Sequence, residues 1–163
     1  MSVAVQIVHA DYDNPAHARA LVELLDAYAQ DPAGGGHALS DYARANVVAG
    51  LAARPQAFSV LAFDGERAIG LVNCIEGFST FAARALVNVH DVIVLADCRG
   101  RRVAELMLAL VERIARQRGG CKLTLEVLQG NVPALRLYER IGFAAYELDP
   151  ALGQARFMQK LLG

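Results

Sequence analysis

Val3, Val5 and Ile7 alternate along the start of the chain with the period of two that a half-buried strand requires. After Asn14-Pro15, a helix start signal, Leu21, Leu24, Leu25 and Tyr28 recur at helical spacing. The glycine-rich stretch Asp31 to His37 then interrupts the pattern as a loop, and Leu39, Tyr42, Ala43, Val47 and Leu51 mark a second helix. That helix must stop near Arg54-Pro55, because proline disfavours helical geometry in the residue before it. Phe58 to Phe63 and Ala68 to Ile75 read as strands joined by the hairpin signal Asp64-Gly65. Leu86 to Leu95 is a third, central strand, and its side-chain alternation is disturbed around His90-Asp91, as a bulge or a strand buried on both faces would produce. From Arg101 to Arg118 the set Val103, Leu106, Met107, Leu110, Val111 and Ile114 forms a helical stripe closed by Gly119-Gly120. Lys122 to Leu128 reads as a strand, and Asn131 and Pro133 open a last helix with Leu135, Tyr138 and Ile141 inward. Two strands, Phe143 to Leu148 and Ala155 to Leu162, are expected to end the chain. The predicted order is βααβββαβαββ, an α/β (mixed α+β sheet) fold with helices on both faces, forming one domain over residues 1–163.

Composition changes this picture only by exclusion. With 55% hydrophobic residues the chain is expected to be globular, and 16 basic against 17 acidic side chains give no electrostatic footprint for nucleic acid. No apolar run approaches the ~18 residues needed to cross a bilayer, and the opening residues lack a basic region followed by an apolar core, so a soluble cytoplasmic protein is expected. Cys74, Cys98 and Cys121 are too widely spaced for a disulfide framework or zinc site, and His9, His17 and His37 have no partner at metal spacing, so no metal is expected.

The informative segment is Val92 to Ala104, an apolar strand that passes through a basic turn into the strongest helix. A helix N-terminus carries about +0.5 of an elementary charge and unsatisfied N–H donors, and Arg99, Arg101 and Arg102 lie in the same turn. The arrangement points to a phosphorylated ligand. It is neither a P-loop nor a dinucleotide site, since Gly-x-x-x-x-Gly-Lys-Ser/Thr and Gly-x-Gly-x-x-Gly are both missing.

Arg99, Gly100, Arg101, Arg102, Val103 and Ala104 fall on the pattern Arg/Gln-x-x-Gly-x-Gly/Ala with which GCN5-related N-acetyltransferases bind acetyl-CoA. Asn131 to Phe143 resembles the second signature of that family, Asn-x-x-Ala-x-x-Leu-Tyr-x-x-x-Gly-Phe. Two departures are visible: Arg102 replaces the middle glycine of the first pattern, and Ala96 a frequent proline ahead of it.

The resemblance implies the GNAT acyl-CoA N-acyltransferase fold and direct transfer of acetyl from acetyl-CoA to a primary amine of a small molecule, a diamine, polyamine or amino-acid derivative. The diamine and polyamine acetyltransferases are the members it most resembles. It implies that Tyr138 protonates the CoA sulfur, that His90 accepts the ammonium proton, and that Asp91 attracts the amine. The oxyanion would meet N–H groups near Ile93, and Val94 would pair with the pantetheine amides. Asn131 and Ala134 of the second signature join the cofactor set, while Glu76, Phe78 and Phe81, in a turn before the central strand, would line the acceptor site. The alternatives are acetylation of a protein N-terminus or lysine, and a non-catalytic acyl-CoA binding or sensing module. A homodimer is the expected assembly.

Overall fold

The computed structural model describes residues 4–146 and 148–162. These divide between Leu128 and Gln129 into two compact units. The first contains β1 (Gln6–His9), α1 (Pro15–Gln30), α2 (Asp41–Ala52), β2 (Ala57–Asp64), β3 (Arg67–Ser79), β4 (Arg84–Val94), α3 (Val103–Gln117) and β5 (Leu123–Leu125), and the second contains α4 (Val132–Arg140).

The five strands form one sheet in the order β1-β2-β3-β4-β5, antiparallel except for the parallel pair β4 and β5. A parallel neighbour needs a crossover, and α3 supplies it. Leu61, Leu71 and Ile93 face Ala20, Leu21 and Leu24 of α1 in one core cluster. Successive strand residues point to opposite faces, so Gly70, beside Leu71, looks the other way, toward Met107 of α3. Helices therefore cover both faces, as the sequence pattern predicts.

Local chemistry sets the helix boundaries. Asn14 Oδ1 accepts the N–H groups of Ala16 (2.9 Å) and His17 (3.4 Å) ahead of Pro15, and Ser40 Oγ accepts the Ala43 N–H (3.1 Å) at α2. Buried Asp26 ties the intervening loop down. Its carboxylate accepts from the Leu39 N–H, Gln30 Nε2 and Arg44 Nη2, each at 2.8 Å.

A Cβ at Gly70 would lie 2.8 Å from Met107 Cε and 3.2 Å from the Ile93 carbonyl oxygen. Met107 is fully buried and has little room to retreat, so Gly70→Ala is expected to cost about 1–3 kcal/mol of stability, measured by urea unfolding.

Three expectations are corrected. Residues 143–146, 148 and 155–162 form no strand, and Glu147 lies outside the described residues. Tyr146, Leu148, Phe157, Met158, Leu161 and Leu162 are exposed there; strand-forming side chains order a strand only where a neighbour takes up their backbone groups. The fifth strand is Leu123–Leu125, shorter than the expected Lys122 to Leu128, because its pairing with β4 extends only from Val87↔Leu123 to Val89↔Leu125. Finally, β3 continues to Ser79 through its pairing with Arg84, so Glu76 and Phe78 belong to a strand, and the turn comes after them, with Ala83 at φ 49°.

Candidate functional site

The disturbance at His90-Asp91 is a β-bulge. Asn73 pairs with Asp91 while the next residue of β3, Cys74, pairs with Val89, so His90 is the extra residue of β4. Both His90 and Asp91 then line one cavity of about 340 Å³ on the α1 and α2 side of the sheet. Its walls are Leu25 of α1, Val47, Gly50 and Leu51 of α2 and Ile75 of β3, with Asn73 and Arg54 as the further polar members.

Polar groups in this cavity are held from behind. Asn73 Nδ2 donates to Asp91 Oδ2 (3.0 Å), Ser59 Oγ donates to Asn73 Oδ1 (2.6 Å), and Ser59 Oγ is 2.8 Å from the Tyr12 hydroxyl. His90 Nδ1 lies 3.2 Å from Asn88 Oδ1, and Asn88 Nδ2 donates to Thr124 Oγ1 (3.1 Å). With its amide nitrogen used on Thr124, Asn88 presents an acceptor oxygen, which selects the tautomer carrying its proton on Nδ1. A neutral His90 so oriented keeps Nε2 as a basic lone pair.

The bulge also decides which backbone groups of β4 remain for a ligand. Before it, the Ala85 carbonyl accepts from the Cys121 N–H (2.8 Å) and the Val87 N–H donates to the Lys122 carbonyl (3.0 Å), so odd-numbered residues face the β5 side. One inserted residue reverses the parity. Beyond it, Val92 and Val94 face that side, where the β5 pairing has already ended, while Ile93 turns its backbone to β3 and buries its side chain in the core. An extended ligand with amide groups can pair with this open edge.

The edge runs into the N-terminus of α3. Side chains cap α1, α2 and α4, whereas α3 has no side-chain cap hydrogen bond, so its first N–H groups are left for an anion. Each arginine of the turn is already engaged. Arg99 donates to the Val94 carbonyl and to Asp31 Oδ2 (both 3.2 Å), Arg101 to Asp64 Oδ2 (2.7 Å), and Arg102 to both Glu105 oxygens (2.6 and 3.1 Å). The Ala33 N–H, and after it Arg99, holds the Asp31 carboxyl below the usual carboxylate range, so that tether stays ionised at neutral pH. The three arginine side chains of the turn are thus paired with carboxylates, and the α3 N-terminus carries no side-chain cap beside them.

Arg102 sits at φ 61° and ψ 19°, a left-handed conformation in which a glycine carries no penalty, and its side chain turns along α3 to Glu105. Arg102→Gly removes about 1 kcal/mol of backbone strain against an exposed ion pair of smaller value. We expect a Tm higher by about 2–4 °C in a thermal scan, with a fall excluding this account.

In the second unit, Asn131 caps α4 by accepting the Ala134 N–H (3.4 Å), and Tyr138 is buried edge-on against Phe143 with ring centroids 5.8 Å apart. Of the other expected residues, Glu76 pairs with Arg118 Nη1 (3.4 Å), and Phe78 and Phe81 are exposed; none of the three lines the cavity. Sequence reasoning missed Asn73, Ser59, Tyr12, Asn88 and Arg54. The available signal was a polar residue inside each of the apolar runs around Ser59 and Asn73, since a buried polar side chain must find a partner. Among the described residues, no group of three or more His, Cys, Asp or Glu is placed to hold a metal ion, and no helix is long and apolar enough to cross a membrane.

Comparison with known proteins matches residues 19–143 to the family model of the acetyltransferase (GNAT) family. Streptothricin acetyltransferase of Streptomyces lavendulae is 33% identical over 90 residues, which are 53% of this chain and 48% of the relative. YwnH of Bacillus subtilis, provisionally named a phosphinothricin acetyltransferase, is 34% identical over 92 residues, 53% of this chain and 56% of the relative. The matches thus span about half the length of these relatives. Among solved structures, AAC(6')-Iy in complex with the bisubstrate analogue CoA-S-monomethyl-acetylneamine superimposes with a TM-score of 0.75 at 19% identity, covering 98% of this chain and 99% of the other. An aminoglycoside acetyltransferase from an uncultured soil metagenomic sample, in complex with sisomicin, gives 0.77 at 11% identity, covering 97% of each chain.

Proposed function

The chain belongs to the acetyltransferase (GNAT) family, and on that premise we propose that it transfers the acetyl group of acetyl-CoA to the primary amine of a small molecule. The observation that carries the reading is the bulge, which sets Asp91 and His90 side by side in one cavity and, on the same strand, turns the backbone of Val92 and Val94 to an edge beyond the end of β5, with the Val94 carbonyl held by Arg99, leading to the uncapped N-terminus of α3.

Bound acetyl-CoA would supply an activated acyl thioester, and the β4 edge and the α3 N-terminus would hold its amide and phosphate groups. Arg99, Gly100, Arg101 and Arg102 form the turn that leads into Val103 and Ala104 at the start of α3, with Gly100 at φ 77°, a left-handed conformation that favours glycine. Asp91 draws the acceptor ammonium into the cavity, and His90 Nε2 takes its proton to leave a nucleophilic amine. The N–H groups of Val92 and Val94, and not that of Ile93, are the donors available to polarise the acyl carbonyl. Tyr138 is carried over from the second signature as the proton donor to the departing thiolate, and Asn131 and Ala134 as cofactor contacts.

The acceptor class is read from cavity charge. Asp91 and Arg54 both line it, and a second ammonium, as in a diamine, would face the Arg54 guanidinium. An amino-acid-like acceptor, with a primary amine for Asp91 and an acid group for Arg54, satisfies both charges. Streptothricin, for which a curated relative is named, supports a small-molecule acceptor.

The test is acetyl-CoA calorimetry followed by thiol release over amino acids, diamines and aminoglycosides. Micromolar binding with release strongest for amino acids is expected. Binding without release for any amine would favour an acyl-CoA sensing module, and no binding would remove the cofactor assignment. Cys121 is exposed, whereas Cys98 is buried and burial pushes the Cys74 thiol up to about 12. A thiol reagent should therefore label one cysteine per folded chain rapidly, a background to subtract.

A further inference from the structure

We infer that Asn73 is a positioning residue for Asp91, held in register by a one-way hydrogen-bond chain that begins at the Tyr12 hydroxyl and passes through Ser59. The inference rests on the reading that Asp91 meets the acceptor amine.

Ser59, Asn73 and Asp91 occupy facing positions on three adjacent strands, Ser59↔Asn73 and Asn73↔Asp91, so one polar row crosses the sheet through an otherwise apolar core. Ser59 is fully buried and Asn73 is 4% exposed. The direction of each bond follows from what each group can do. An ionised carboxylate only accepts, so Asn73 must turn its NH₂ to Asp91 and its oxygen to Ser59. The single Ser59 proton is then spent on that oxygen at 2.6 Å, which makes Ser59 the acceptor of the Tyr12 O–H at 2.8 Å. Burial pushes the Tyr12 phenol above its ordinary value, and it therefore remains a donor through the neutral range.

All three donors point toward Asp91, and such chains polarise and strengthen one another in low dielectric. The consequence is geometric: Asn73 occupies Oδ2 of Asp91 and fixes the plane of the carboxylate, which leaves Oδ1 for an ammonium in the cavity. Apolar residues at 59 and 73 would pack in this core without requiring partners, so the row is better explained by its far end than by stability.

The test is a double-mutant cycle read in amine KM. Ser59→Ala is expected to lower kcat/KM about fivefold through KM, with Tyr12→Phe smaller and acetyl-CoA affinity unchanged by calorimetry. In an Asp91→Asn background the Ser59→Ala loss should shrink below about twofold, because the carboxylate it aligns is gone. An equal loss in both backgrounds, or a loss in acetyl-CoA affinity instead, overturns the inference. A second arm needs no turnover: the Asn73 side-chain NH₂ signals in ¹H–¹⁵N NMR should be slow to exchange, and should shift and exchange faster in Tyr12→Phe and Ser59→Ala. Unchanged signals overturn it. If the wild-type chain acetylates no amine, the proposed function fails, and this arm alone decides whether the chain orients Asn73.

Discussion

Asp91→Asn is expected to lower kcat/KM for the amine by about a hundredfold, on the order of 3 kcal/mol, while leaving acetyl-CoA binding unchanged. The substitution keeps the size of the side chain and an oxygen that can accept from Asn73 Nδ2, so the bulge and the polar row persist. What disappears is the cavity's carboxylate charge, which an acceptor ammonium must replace its hydration with. Steady-state kinetics with the best amine and calorimetry with acetyl-CoA separate the two readouts. An unaltered kcat/KM would exclude Asp91 as the amine anchor and move the acceptor away from this cavity.

Tyr138→Phe is the second large effect. If the phenol protonates the departing thiolate, removing its hydroxyl should cut kcat by about a hundredfold with little change in either KM, since general acid catalysis is worth roughly that much. Phenylalanine retains the edge-on contact with Phe143, so the second unit should stay folded, as read by Tm. A fall in Tm together with kcat would instead make Tyr138 a core aromatic of the second unit, the role that its burial at 8% exposure is also compatible with. The contrast between the two variants is informative. Asp91→Asn is expected to act on the amine side of the reaction, and Tyr138→Phe on turnover of a fully bound complex.

Periodicity was sufficient for the elements that bury a continuous stripe or alternate cleanly. Each of α1, α2, α3 and α4 lies where the spacing predicts it, and the Asn14, Ser40 and Asn131 caps are side-chain chemistry written locally. The irregularity at His90-Asp91 was legible for the same reason, because a bulge breaks the period of two. The strands expected after Phe143 show the limit of that method. Strand propensity reports a side chain's fit to a half-buried surface, and a segment without a paired neighbour gains nothing from it.

The site divides along the same line. Arg99 to Ala104 and Asn131 to Phe143 are contiguous motifs, so one sequence carried the family resemblance that the match over residues 19–143 then established. Asn73, Ser59 and Tyr12 are 18, 32 and 79 positions from Asp91, and no local rule connects them. Their order is set by strand register, which depends on how β2, β3 and β4 pair around the bulge. The engagement of Arg101 with Asp64 and Arg99 with Asp31 is equally nonlocal, and it leaves these two arginine side chains of the turn already paired with carboxylates. From the sequence alone came the helices, the hairpin, the broken alternation at His90-Asp91 and the family motifs, all encoded within a few turns of chain. Only the tertiary structure decided which polar side chains meet and which backbone edge stays open, because those contacts arise when distant strands pair.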